Sequence, residues 1–223
     1  MQRHLKMKDK KYILFDLDGT LTDPGEGITN SVIYALERFG IHGKTRADLE
    51  CFIGPPLDES FMKYFGMTRD EAVKAIEVYR EYFRPKGMFE NKVYVGIPEL
   101  LAKLKSAGKT VALATSKPGV FADGILEHFG LMKYFDLTVG SELDGRRIKK
   151  ADVVACVLDG LGVIDKSEAV MIGDRFHDID GGRENGLETV GVMYGYGSRE
   201  ELENAGADMI AASVAELAKI LMY

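Results

Sequence analysis

Short apolar runs alternate with amphipathic segments along the chain after residue 95. The apolar runs predict strands over 110–115, 135–139, 169–172 and 189–193. Helical spacing and boundary residues predict helices over 98–107, 117–129, 151–159 and 178–184 between them. Ser198 and Ser213 are predicted to cap two more helices, the first through a capping box with Glu201. Alternation of this kind is typical of a parallel sheet with helices on both faces.

A different pattern precedes this region. The apolar run 12–15 predicts a first strand, and helical spacing then dominates up to about residue 91, with a capping box at Thr68 and Glu71. No convincing strand pattern interrupts that stretch. We therefore predict a doubly wound parallel α/β core domain formed by residues 1–22 and 92–223. A helical domain, residues 23–91, is inserted after its first strand.

Composition narrows the class of protein. The chain has 223 residues, of which 46% are hydrophobic and 29% charged, and its formal net charge is −6. The positive charges are dispersed apart from a basic start over residues 1–11, so we expect no nucleic-acid partner. No apolar run reaches membrane-spanning length and no secretory signal is recognisable, so we expect a cytoplasmic protein without a membrane partner. Two widely separated cysteines suggest neither a zinc site nor a disulfide framework.

Polar residues follow the predicted strands directly, where open parallel sheets bind ligands. Asp16 and Asp18 follow the first strand, with Gly19 permitting a sharp bend. The other candidates at this edge are Thr115, Ser116, Asp174 and Asp178, with Lys149 and Lys150 at the start of a helix. Crowded carboxylates repel one another unless a cation neutralises them, and hard oxygen ligands without His or Cys suit Mg²⁺. The hydroxyl and the ammonium group suit a phosphate beside that metal.

These segments resemble, in order, the four motifs of the haloacid dehalogenase superfamily. The motifs are DLDGT at 16–20, TS at 115–116, Lys150, and GDRFHD at 173–178. The helical insert is similar to the cap of the phosphoglycolate phosphatase-like branch. The stretch VGVMYGYG at 190–197, followed by SREEL, is similar to that branch and to its predicted 5'-nucleotidase relatives.

The resemblance implies a role for each matching residue. Asp16 would be the nucleophile and a metal ligand, and Asp18 the general acid and base, with its backbone carbonyl also on the metal. The implied phosphate-binding residues are Thr115, Ser116 and Lys150. Asp174 would be a metal ligand, and Asp178 would coordinate through water or orient the lysine. An acid at the position of Asp18 indicates phosphate-ester chemistry, since dehalogenases and phosphonate-cleaving members lack it.

Several alternatives stay open at this point. Lys149 is an alternative to Lys150, and Asp178 is also a candidate helix cap. Thr115 and Ser116 taken alone would more often cap a helix. The loop Gly54, Pro55 and Pro56 resembles the family's substrate-specificity loop, but such a loop is also a common structural turn.

The predicted function is a magnesium-dependent phosphatase that hydrolyses a small phosphorylated metabolite through an aspartyl-phosphate. Its substrate would be a phosphoglycolate-like monoester or, alternatively, a nucleoside 5'-monophosphate. A phosphomutase of the β-phosphoglucomutase kind is a further alternative, and a phospho-accepting receiver domain is the non-enzymatic one. We expect a monomer, because a hinged cap must move.

Overall fold

The computed structural model describes residues 6–144 and 146–223, which form two compact units. One unit holds the described residues up to Thr22 together with Val93–Tyr223, and the other is Asp23–Lys92. The boundaries predicted from the sequence lie after residues 22 and 91. The role of the second unit as a cap stays a prediction. Residues 1–5 of the basic start lie outside the described part of the chain.

The first unit is built on a six-stranded parallel sheet. The strands of the chain are β1 (Tyr12–Phe15), β2 (Thr22–Asp23), β3 (Lys92–Val93), β4 (Thr110–Pro118), β5 (Leu137–Ser141), β6 (Ala169–Gly173), β7 (Glu188–Val192) and β8 (Met209–Ala211). The sheet order is β5-β4-β1-β6-β7-β8, and every neighbouring pair is parallel. Strands β2 and β3 form a separate two-stranded sheet. The predicted α/β fold class is confirmed.

The helices are α1 (Gly25–Arg38), α2 (Leu57–Phe65), α3 (Arg69–Tyr82), α4 (Ile97–Ser106), α5 (Gly119–His128), α6 (Lys150–Gly160), α7 (Phe176–Glu184), α8 (Arg199–Asn204) and α9 (Val214–Met222). Three consecutive residues of β1, Ile13, Leu14 and Phe15, are completely buried. Burial of successive residues means that both faces of the strand are covered, as parallel sheets require. On one face, valines of α6 pack against Leu14 and against apolar residues of β4 and β6.

Two predictions about local structure were wrong. The helix predicted from residue 117 begins at Gly119, and β4 continues to Pro118 with a shift in its pairing with β5. The cause is Pro118, because a residue before proline is disfavoured in the helical conformation. Ser198 caps α8 by accepting from the backbone N–H of Glu201, but the Glu201 side chain bonds to Arg175 and to the backbone N–H of Phe176 instead of closing the box.

The second unit contains α1, α2 and α3 around aromatic residues such as Phe52 and Phe61. The predicted capping box at Thr68 and Glu71 is present at the start of α3. Gly54, Pro55 and Pro56 form the loop between a short 3-10 helix, Ala47–Phe52, and α2. Their part in substrate specificity stays a prediction.

Across residues 6–144 and 146–223, no helix combines the length and the apolar composition that a bilayer crossing requires.

Candidate active site

The turn after β1 places Asp16 and Asp18. The backbone N–H of Asp16 donates to the carbonyl of Ile172 in β6 at 2.9 Å, which fixes Asp16 at the carboxyl edge of the sheet. The chain then turns through Gly19, whose φ of +78° lies in the left-handed region that favours glycine. A bond from the N–H of Gly19 to the carbonyl of Thr22, 2.7 Å long, closes the turn. Asp16 is 8% exposed, so its carboxylate is held in a largely dry site.

Asp174 follows β6 and is 1% exposed. Its Oδ2 atom accepts from the backbone N–H of Tyr196 at 2.8 Å. The backbone packs closely against this side chain at two glycines. A Cβ atom at Gly19 would lie 2.1 Å from Asp174 Oδ2, and a Cβ atom at Gly195 would lie 2.5 Å from the same oxygen. Only glycines leave room for the carboxylate at this point. The VGVMYGYG stretch therefore has a local physical function, which is to hold Asp174.

Lys150, the first residue of α6, reaches into the same group. Its Nζ atom lies 2.7 Å from Asp16 Oδ1 and 2.7 Å from Asp178 Oδ1, and it donates to the carbonyl of Ala114 at 3.0 Å. Lys149, by contrast, is exposed. The structure thus brings Lys150, and not the alternative Lys149, to the predicted site.

Asp178 both contacts Lys150 and caps a helix, two of the roles that the sequence left open. One carboxylate oxygen pairs with Lys150, and the other accepts from the backbone N–H of Arg175 at 3.1 Å, which caps the first turn of α7. A Cβ atom at Gly173 would lie 2.1 Å from Asp178 Cγ, so glycine is needed there for the approach. This arrangement favours an orienting role toward the lysine.

The end of β4 supplies the predicted phosphate-binding residues. Thr115 is 2% exposed, and its Oγ1 atom accepts from the backbone N–H of Lys117 at 3.2 Å. The carbonyl of Ser116 accepts from the hydroxyl of Ser141 at 2.7 Å. The roles of the Thr115 and Ser116 hydroxyl groups in binding phosphate stay predictions.

Lys117 is a site residue that the sequence analysis missed. Its Nζ atom lies 2.7 Å from Asp18 Oδ2, so the second aspartate has its own ammonium partner. The signal was present in the sequence, because Pro118 disfavours helix at residue 117. A strand that continues past Thr115 can direct the side chain at 117 to the same side as that of Thr115.

Burial dominates the electrostatics of these acids. Burial raises the pKa of Asp18 above its ordinary value, and this effect is larger than the opposite effect of the Lys117 charge. Burial and the charges of Asp178 and Asp16 raise the pKa of Asp174 well above the usual range. The pKa of Asp178 rises to about 6, mainly through burial and against the effect of Lys150. Burial lowers the pKa of Lys150, but Asp16 and Asp178 outweigh it and hold that pKa above its ordinary value.

The carboxylates fit a divalent metal ion. Ligand atoms of Asp16, Asp174 and Asp178 all lie within 4.8 Å of one another, and all three residues are buried. In the described part of the chain, Asp174 Oδ1 is buried without a hydrogen-bond partner, a cost that a cation would remove. When Asp16, Asp174 and Asp178 are ionised, their negative charge exceeds the positive charge of Lys150 by two, which one divalent ion balances. The donors are hard oxygens, the ligands that Mg²⁺ prefers.

Comparisons with known proteins identify the family and the relatives of this chain. The model of the haloacid dehalogenase-like hydrolase family matches residues 13–192. A 5'-nucleotidase of Pseudomonas aeruginosa is 48% identical over 209 residues, which cover 94% of each protein. The tyrosine-protein kinase PtkA of Mycobacterium tuberculosis is 37% identical over 211 residues, covering 94% of this chain and 72% of the kinase. The crystal structure of a predicted phosphatase from Clostridium acetobutylicum has a TM-score of 0.90 at 52% identity, covering 94% of this chain and 97% of that one.

Proposed function

The chain belongs to the haloacid dehalogenase-like hydrolase family, and from that premise we propose that it is a magnesium-dependent phosphatase of small phosphate monoesters that works through an aspartyl-phosphate. The observation that carries the proposal is Lys150, which lies between Asp16 and Asp178 and makes a buried 2.7 Å contact with each. This arrangement joins a nucleophilic carboxylate to a fixed positive charge at the edge of the sheet.

Asp16 and Asp174 would hold the magnesium ion, together with the backbone carbonyl of Asp18. When bound, Mg²⁺ neutralises negative charge on the phosphate oxygens. Lys150 contributes a second positive charge that needs no metal. Asp178 Oδ1 gives that ammonium group a second carboxylate contact, at 2.7 Å, besides the one with Asp16.

The reaction has two steps. A carboxylate oxygen of Asp16 attacks phosphorus while the bond from phosphorus to the leaving oxygen breaks, and the Asp18 carboxyl group donates its proton to that oxygen. A water molecule then attacks the aspartyl-phosphate, its proton passes to the Asp18 carboxylate, and inorganic phosphate and free Asp16 result. The raised pKa of Asp18 suits the acid in the first step.

The relative named a 5'-nucleotidase favours nucleoside 5'-monophosphates as the substrate class over 2-phosphoglycolate. The test is a release assay for inorganic phosphate over 5'-mononucleotides, 2-phosphoglycolate and hexose phosphates, with and without Mg²⁺. We expect magnesium-dependent release, fastest with a 5'-mononucleotide. Conversion of a hexose phosphate into its isomer would indicate a phosphomutase. A parallel assay with ATP and a tyrosine-containing peptide would reveal phosphoryl transfer to tyrosine, the activity in the name of PtkA. Release from none of the esters would refute the proposal.

Binding of Mg²⁺ should weaken at low pH. The pKa of Asp178 is about 6 in the folded, metal-free protein, against an ordinary value of 3.8, and that of Asp174 is raised as well. The folded state therefore holds protons that the unfolded chain has lost, so these groups stabilise it at low pH, and this contribution is lost as pH rises toward about 6. The cation competes with these protons.

We therefore expect the Kd for Mg²⁺, measured by calorimetry, to increase about tenfold between about pH 7 and pH 5 for one such proton. The variant Asp178→Asn should show a flatter dependence. A Kd that does not change with pH would contradict this prediction.

A further inference from the structure

Lys117 and Asp18 form an ion pair that the four family motifs do not explain. Their Nζ and Oδ2 atoms are 2.7 Å apart, and the two side chains are only 7% and 14% exposed. A charge-assisted hydrogen bond in such surroundings is short and directional. We propose that Lys117 is a positioning residue: it holds the Asp18 carboxyl group by Oδ2 and presents Oδ1 to the leaving oxygen of the substrate.

The two oxygens of Asp18 are in different situations. Oδ2 is bound by Lys117, whereas Oδ1 is buried and has no hydrogen-bond partner among the described residues. A buried acceptor without a partner costs free energy, and such groups concentrate where a ligand completes the site. Holding one oxygen fixes the plane of the carboxyl group, so the orientation of the other is set before substrate arrives.

The backbone that carries Lys117 is fixed on both sides. Pro118 keeps residue 117 out of the helical conformation, and Thr115 Oγ1 accepts from the N–H of Lys117 at 3.2 Å. Next to it, the hydroxyl of Ser141 donates to the carbonyl of Ser116, and Ser141 pairs with Pro118 in the sheet. The ammonium group therefore extends from a rigid strand end and not from a loose loop.

Lys150 already has a separate position in the site. It contacts Asp16 and Asp178, and Lys117 contacts Asp18. Each member of the Asp16 and Asp18 pair thus has its own lysine. This division favours a role for Lys117 in proton transfer by Asp18. Lys150 would instead hold the nucleophile Asp16 and neutralise the charge of the phosphate.

The inference rests on the proposed function, in which Asp18 gives a proton to the leaving oxygen as the phosphorus–oxygen bond breaks. An alkoxide needs this proton, whereas 4-nitrophenolate leaves readily without one. Loss of correct positioning should therefore lower kcat/KM, which reports the first chemical step, for alkyl esters much more than for 4-nitrophenyl phosphate.

The test compares Lys117→Met with wild type on a nucleoside 5'-monophosphate and on 4-nitrophenyl phosphate. We expect kcat/KM to fall about 100-fold with the nucleotide and less than about fivefold with the aryl ester. Lys117→Arg, which keeps the charge and a donor, should recover part of the loss. Equal losses on both esters, a change in KM alone, or no change would overturn the positioning role.

Lys109→Met is the matched control. Lys109 precedes the opposite end of β4, where its Nζ atom donates to the carbonyls of Lys8 and Lys10 at 2.6 Å each. This variant should leave the ratio of kcat/KM for the two esters unchanged. If wild type itself releases no phosphate from any ester, the proposed function fails. A uniform loss in Lys117→Met would refute the positioning role alone.

Discussion

Replacement of Asp16 by asparagine is expected to abolish phosphate release, with a loss of at least about 10³-fold in turnover. An amide lacks the anionic oxygen that we propose attacks phosphorus, and it is a weaker metal ligand. The fold should survive, because Lys150 keeps its contacts with Asp178 and with the carbonyl of Ala114. An assay of phosphate release measures the loss of turnover. Thermal unfolding monitored by circular dichroism shows whether the fold survives.

Asp18→Asn is the matched control for this experiment. It removes a carboxylate of the same pair but leaves the proposed nucleophile in place. With an activated ester, Asp18→Asn should still form the phosphorylated protein, whereas Asp16→Asn should not. Retention of turnover in Asp16→Asn would show that another group attacks phosphorus.

Replacement of Lys150 by methionine should damage both stability and activity. The ammonium group makes three buried contacts, and its removal leaves Asp16 and Asp178 facing each other without compensation. Removing one partner of a buried ion pair costs about 3–5 kcal/mol in the free energy of unfolding. We expect a loss of that size in denaturant titrations at neutral pH without metal, together with loss of turnover.

Lys149→Met is the control that shows whether the losses of stability and activity are specific to the position of Lys150 in the site. Lys149 is adjacent in sequence but exposed, so the free energy of unfolding should change by less than about 0.5 kcal/mol. Mg²⁺ should restore part of the stability of Lys150→Met, because a cation again neutralises the carboxylates. Similar losses in the two lysine variants would contradict the assignment of Lys150.

The sequence predicts the fold well because the central strands β1 and β6 are buried on both faces. Continuous apolar runs such as Ile13–Phe15 and the all-apolar start of β6 have few other interpretations in a chain with intervening helices. The short edge strand β8 has a mixed burial pattern and gave no such signal. The true start of α5 depended on one proline, whose effect on the residue before it outweighed the helical pattern.

Only those site residues that lie near the ends of strands could be predicted from the sequence. Asp16, Asp18 and Asp174 follow strands of the sheet, and the topology brings them to one edge. Thr115 lies inside β4, three residues before its end at Pro118. Which partner each side chain takes is a matter of three-dimensional distance. The N–H that binds Asp174 belongs to the backbone of Tyr196, and a backbone donor has no signature in the sequence.

The position of β1 in the centre of the sheet has a consequence for how the protein acquires its activity. Tyr12 pairs with Thr110 on one side and with Ala169 on the other, so the strand before Asp16 is completed by segments made far later in the chain. Pairings between such distant segments form slowly, because closing long loops costs entropy before contacts compensate. In a refolding reaction, helical signal will therefore return before catalysis. A nascent chain that ends before β6 will carry Asp16, the proposed nucleophile, without Asp174 to complete its surroundings.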